Sequence, residues 1–216
     1  MKSFTMLLLA LTTISVASAQ TSVNVIARTA LDSNGNVVKN FTEISFEKGR
    51  WTPFDIVIIG KPDGRTSEIA IGGGLKISTN KHFTWSSELL LVKDLGEKTQ
   101  KGFYLQPFHY FSGHLNHELR WQIVTIPYLA LSSRSKFQFT LERARLLKDT
   151  RVGTVGIGTG GFKSGKSKFQ TRPLVSFQPK GWPVDFWYQV YLPTTQSPHT
   201  RHTFQVRFSF KKKLVG

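Results

Sequence analysis

Apolar and polar side chains alternate with a period of two along most of this 216-residue chain. That period belongs to a β-strand, whose successive side chains point to opposite faces, and not to a helix. Near the C-terminus Phe204, Val206, Phe208 and Phe210 alternate with Thr203, Gln205, Arg207 and Ser209. Val184, Phe186, Tyr188, Val190 and Leu192 repeat the arrangement against Asp185, Trp187, Gln189 and Tyr191. Phe169, Thr171, Pro173, Val175 and Phe177 oppose Lys168, Gln170, Arg172, Ser176 and Gln178, with Leu174 the one exception. Phe137, Phe139 and Leu141 stand against Gln138, Thr140 and Glu142; Leu119, Trp121 and Ile123 against Arg120 and Gln122. Further back, Ile69, Ile71, Leu75 and Ile77 alternate with Ala70, Gly72, Gly74 and Lys76, and Phe83, Trp85, Leu89 and Leu91 with Thr84, Ser86 and Glu88.

Three earlier segments, Val23 to Leu31, Phe41 to Phe46 and Thr52 to Ile59, have strand composition with a less regular phase. The count is about twelve strands, within 10–12, and no helix of ordinary length is expected after residue 20. The longest apolar runs there, Ile56 to Ile59 and Leu89 to Val92, hold four residues each, far short of a spanning helix. A chain with these runs crosses a membrane only with strands. Asn34-Gly35, Asp63-Gly64, Ser112-Gly113, Gly160-Gly161 and Lys180-Gly181 supply turn chemistry between the segments. Longer connections (Asp32 to Lys39, Lys93 to Lys101, Pro193 to Arg201) alternate with tight ones (Lys48 to Arg50, Ser78 to Lys81, Lys148 to Thr150). A membrane meander with both termini and its short turns on one side has this alternation, which the connection Ser132 to Ser135 interrupts.

The first nineteen residues read as an address. Met1-Lys2-Ser3 gives a positive start, Phe4 to Val16 an apolar stretch, and Ala17-Ser18-Ala19 a small-residue cleavage pattern ahead of Gln20. Residues 20–216 then form one domain. The chain has no cysteine, which excludes disulfides, thiolate metal sites and cysteine nucleophiles. Its formal charge of +16 falls by one when Lys2 is removed with the signal.

Together the export signal, the missing cysteine, the two-residue period, Trp and Tyr near strand ends (Trp51, Trp85, Trp182, Tyr128, Tyr191) and the Phe-rich terminal strand resemble a small bacterial outer-membrane β-barrel protein. The resemblance is to a class and covers the whole mature chain. It implies an all-β, antiparallel up-and-down transmembrane barrel in the bacterial outer membrane, in contact with outer-membrane lipids and lipopolysaccharide. Such proteins typically end on an aromatic residue, whereas here Phe210 is followed by Lys211-Lys212-Lys213-Leu214-Val215-Gly216. A soluble periplasmic or secreted β-sandwich that binds anionic ligands produces the same alternation with its Phe faces turned inward.

Two clusters invite catalytic readings. Gly160 to Ser167 matches the phosphate-cradling G-x-x-x-x-G-K-[ST] loop, but the helix that motif requires is replaced by a strand pattern beginning at Phe169, so no nucleotide is expected. His109, Ser112, His114, His117 and Glu118 lie close in sequence. They hold the residue types of a metal site or of an acyl-ester hydrolase acting on lipid, and equally those of a polar hairpin. No enzymatic activity, cofactor, metal or nucleic-acid partner is expected.

The excess of cations then asks for anions. With polar faces turned inward, Arg120, Lys168, Arg172 and Arg207 line a positive lumen, unless Glu88, Glu142 and Asp185 pair with them and plug it. Around twelve strands leave a narrow bore. The expected function is a non-enzymatic narrow pore, anion-preferring, or a structural barrel; a lipid-modifying enzyme is the alternative.

Overall fold

A computed structural model describes residues 21–61, 66–80, 82–95, 102–131, 137–193 and 200–213. The signal sequence expected over residues 1–19 lies outside the described residues. Twelve strands follow one another in chain order: β1 (Thr21–Asp32), β2 (Val37–Lys48), β3 (Trp51–Gly60), β4 (Thr66–Thr79), β5 (Phe83–Asp94), β6 (Phe103–His114), β7 (Leu119–Ala130), β8 (Gln138–Asp149), β9 (Gly153–Ser164), β10 (Gln170–Pro179), β11 (Val184–Tyr191) and β12 (Arg201–Lys213).

Each strand pairs antiparallel with its sequence neighbours, and β1 pairs with β12 from Ser22–Lys213 to Asp32–Thr203, so the sheet closes into a barrel. Closure satisfies the backbone groups of every strand edge, the condition for strands to stand in hydrocarbon. It also removes the sandwich alternative, which needs two stacked sheets.

Side-chain burial shows which face looks where. On β12 Phe204, Phe208 and Phe210 are 49%, 52% and 58% exposed, while Thr203 and Gln205 on the other face are buried. Ile71, Leu89, Leu91, Ile157 and Val175 extend the outward apolar belt. The polar faces turn into the lumen.

The segments of irregular phase have a physical reason for it. On β3 Val57 and Ile59 point inward and join Ala70, Leu90, Val92 and Tyr104 in an apolar cluster inside the barrel, with Phe41, Tyr128 and Ala130 packed against it. Both faces of the C-terminal halves of β3 and β5 are therefore apolar, which erases the alternation. On β1 Ile26 and Ala30 are likewise buried.

Strand bounds leave connections of two to four residues at the end holding the termini and four to nine at the other. The connection between β7 and β8 belongs with the longer set, because β8 begins only at Gln138. The tightest hairpin, Gly49-Arg50, places Gly49 at φ 60°, a left-handed conformation in which a side chain is strained. The phosphate-loop match forms the end of β9 and its hairpin, and strand β10 follows it.

Candidate functional site

The site is the waist of the lumen, and β8 builds it by breaking its own alternation. Leu141 pairs with Gly161 and Ala144 with Thr159, so three steps on β8 face two on β9: one residue is extra. This bulge turns two consecutive charged residues, Glu142 and Arg143, into the lumen, and the inward phase continues through Arg145.

Glu142 forms an ion pair with Arg143 beside it and another with Arg28 of β1. β1 and β8 stand five places apart in the twelve-membered ring, so the pair with Arg28 crosses the lumen. Arg143 Nε donates to Gln122 Oε1 at 2.5 Å. Arg145 gives three bonds: Nε to Gln122 Oε1 at 3.0 Å, Nη1 to Ser176 Oγ at 2.9 Å, and Nη2 to Asp185 Oδ2 at 3.0 Å. Trp187 of β11 is almost wholly buried among these cations; the guanidinium carbons of Arg28, Arg143 and Arg145 lie 5.7, 5.1 and 5.0 Å from its ring centre. The electron-rich face of the indole attracts each guanidinium, so Trp187 helps hold three like charges together.

Charges taken from water need partners with good geometry, and here they have them only in part. Of four arginines at this level, Arg28, Arg143 and Arg145 pair with Glu142 or Asp185 and Arg207 forms no ion pair with a described residue; Glu43 and Glu88 face the same space from β2 and β5. The wall at β8 is thus arginine-rich, while the β2–β5 wall facing the same lumen carries carboxylates.

Two cavities flank it. One of about 170 Å³ lies toward the longer connections, and one of about 260 Å³ toward the short turns. Both are lined by Arg28, Phe41, Glu43, Glu88, Phe108 and Glu142, so the Arg28–Glu142 tie stands between them. Carboxylates line β2 to β5 (Glu43, Asp55, Glu68, Glu88), while Arg172 of β10 faces the first cavity with its guanidinium 4.8 Å from the Tyr191 ring centre.

The residues singled out from sequence are placed as follows. Arg172 and Arg207 line the two cavities. Arg120 stands at the short-turn mouth, its Nη2 2.7 Å from Asp149 Oδ1. Lys168 is exposed in the connection between β9 and β10. Ser112 and His114 face a small cavity of about 130 Å³ at the short-turn mouth. His109 points to the outer face instead, its Nδ1 3.0 Å from Ser87 Oγ, and His117 and Glu118 sit in the exposed turn after β6. The five residues are not gathered on one face.

Sequence reasoning missed Arg28, Arg143, Arg145, Trp187 and Asp55. A signal for the bulge was present: the apolar set moves from odd positions (Phe139, Leu141) to even ones (Ala144, Leu146) within one strand. A period-two face changes parity only where a residue is inserted.

No family model and no curated protein matches this sequence. Solved structures do match. A KdgM porin superposes with a TM-score of 0.58 at 13% identity, over 87% of this chain and 99% of the porin. The fold is like that of the KdgM porins. A structure described as a KdgM porin in complex with disordered oligogalacturonate gives the same TM-score at 12% identity, with the same coverage. At this identity the likeness is one of fold: a closed antiparallel barrel of twelve strands.

Proposed function

We propose that this chain is an exported outer-membrane barrel that forms a narrow, non-enzymatic pore preferring small anionic solutes. The observation that carries the reading is the arginine-rich wall of the waist, where Arg143 and Arg145 of β8 stand with Arg28 and Arg207 in a lumen tied across by Arg28–Glu142. Fixed positive charge in a constriction raises the local concentration of anions and excludes cations. The likeness to a porin whose structure holds oligogalacturonate supports the choice of an anionic solute. Residues 1–19 act as the export signal in this reading. The outward belt of Phe, Leu, Ile and Val meets outer-membrane lipid, and the basic surface meets lipopolysaccharide phosphates.

The selectivity test is a reversal potential under a KCl gradient in a planar bilayer. The wild-type barrel is expected to favour chloride, and the Arg172→Gln/Arg207→Gln variant to lose most of that preference, because neither arginine has an ion-pair partner among the described residues. A cation preference, or no conductance, removes the pore reading. Location has its own test. The mature chain is expected in the outer-membrane fraction and to migrate differently on a gel before and after boiling in detergent; recovery in the soluble fraction contradicts it.

A further inference from the structure

The first cavity holds two unsatisfied polar groups of opposite sign. Asp55, only 1% exposed, lines it with both carboxylate oxygens lacking a hydrogen-bond donor. Arg172 lines it too, and its buried Nε lacks an acceptor. A buried polar group left unpaired carries its full desolvation cost, so each marks a place where a partner belongs.

The two stand on different walls. β3, which carries Asp55, and β10, which carries Arg172, are five places apart around the ring of twelve. Asp55 is joined on its side by Glu43 and Glu88. Glu88 reaches Asp55 across β4 because the intervening inward position has no side chain: a Cβ on Gly74 would lie 2.5 Å from Glu88 Cγ. Two carboxyl groups that meet this way can share one proton, which still leaves a negative charge on the pair with Glu43 beside it. A cation beside the pair balances that charge.

A bare metal ion is a poor candidate, since among the described residues no three acidic or histidine side chains converge to hold one. An organic ammonium, with its three N–H donors, suits carboxylates that converge without closing. On the other wall Arg172 offers guanidinium donors to an anion, and Phe41, Phe108 and Tyr191 provide apolar and aromatic surface between.

We propose that this cavity binds small zwitterionic solutes, with their ammonium against the Asp55–Glu88 pair and their carboxylate against Arg172. The inference deepens the pore reading by naming the solute class. A volume of about 170 Å³ is that of roughly five or six waters, which sets the size at an amino acid and not a polymer.

The test is calorimetric titration of the full mature barrel in detergent micelles with ω-amino acids from β-alanine to 6-aminohexanoate, each beside its matched carboxylate and its matched amine. At least one ω-amino acid is expected to bind at least ten-fold more tightly than both of its matched controls. Asp55→Asn and, separately, Glu88→Gln are each expected to remove that advantage; both are near-isosteric, and the shift in gel mobility on boiling verifies that each variant has folded. Carboxylates binding as tightly as the ω-amino acids overturn the proposal in favour of a plain anion site, and amines binding best overturn it in favour of a cation site. Absence of binding by the whole series overturns it as well. Binding is read without conduction, so the result is independent of whether the barrel passes chloride.

Discussion

Glu142→Gln is expected to raise the anion-over-cation permeability ratio of the barrel roughly ten-fold and to increase its conductance. Glu142 serves two arginines at once, Arg28 across the lumen and Arg143 beside it. Glutamine keeps the shape and one acceptor but removes the charge, leaving the waist one unit more positive. A unit charge about 5 Å from a passing ion is worth about 1 kcal/mol in water and about 3 kcal/mol at the effective dielectric of a protein surface. Water in the flanking cavities favours the lower part of that range, and about 1.4 kcal/mol corresponds to a factor of ten. The cross-lumen tie weakens as well, so Arg28 is freer to swing aside, which widens the passage. Reversal potential and single-channel conductance in KCl read the two effects separately. An unchanged permeability ratio in a folded variant means that ions do not pass the Arg28–Glu142 tie, and the assignment of the waist as selectivity element then falls.

What could be read from sequence follows from what a strand pattern encodes. Phe204, Val206, Phe208 and Phe210 share a face whatever that face meets, so alternation yields strands and their count directly. It does not say whether those rings point outward or pack against one another; closure of β1 onto β12 and the exposure of Phe204, Phe208 and Phe210 show that they point outward. Alternation also fails where the barrel interior is itself apolar. Val57 and Ile59 point inward into a packed cluster, so the C-terminal half of β3 carries no contrast between its faces.

The site was harder to see for two further reasons. Arg172 and Arg207 were visible because their strands keep phase throughout. Arg143 and Arg145 were hidden by the bulge at Glu142, since strict alternation from Leu141 assigns both to the outer face. Arg28 lies between inward Ile26 and Ala30, which disguise its face as apolar. The tie to Glu142 depends on which strands oppose one another across the ring, and a local pattern holds no information about that distance.

The Arg145–Asp185 pair allows the energetic logic of the waist to be separated from its electrostatics. Both side chains are largely buried, at 6% and 12% exposed, and among the described residues Asp185 is the only carboxylate bonded to Arg145. Removing one member of a buried pair leaves the other charge without compensation, which typically costs about 3–5 kcal/mol. Asp185→Leu alone is therefore expected to lower the stability of the folded barrel by about 3 kcal/mol, the lower end of that range, because Gln122 and Ser176 still accept from Arg145. Arg145→Met alone leaves Asp185 buried and charged, and is expected to cost a similar amount. The double variant Arg145→Met/Asp185→Leu removes both charges and replaces them with apolar volume. Its loss is expected to be smaller than that of either single variant, giving a coupling energy of about 3 kcal/mol or more in a double-mutant cycle. Urea unfolding of the barrel in lipid vesicles measures all four proteins. The double variant also leaves the net charge of the waist unchanged, so its chloride preference is expected to persist while each single variant shifts it in opposite directions. Additive losses in the cycle place Arg145 and Asp185 in contact with water rather than with each other, and remove the pair from the waist.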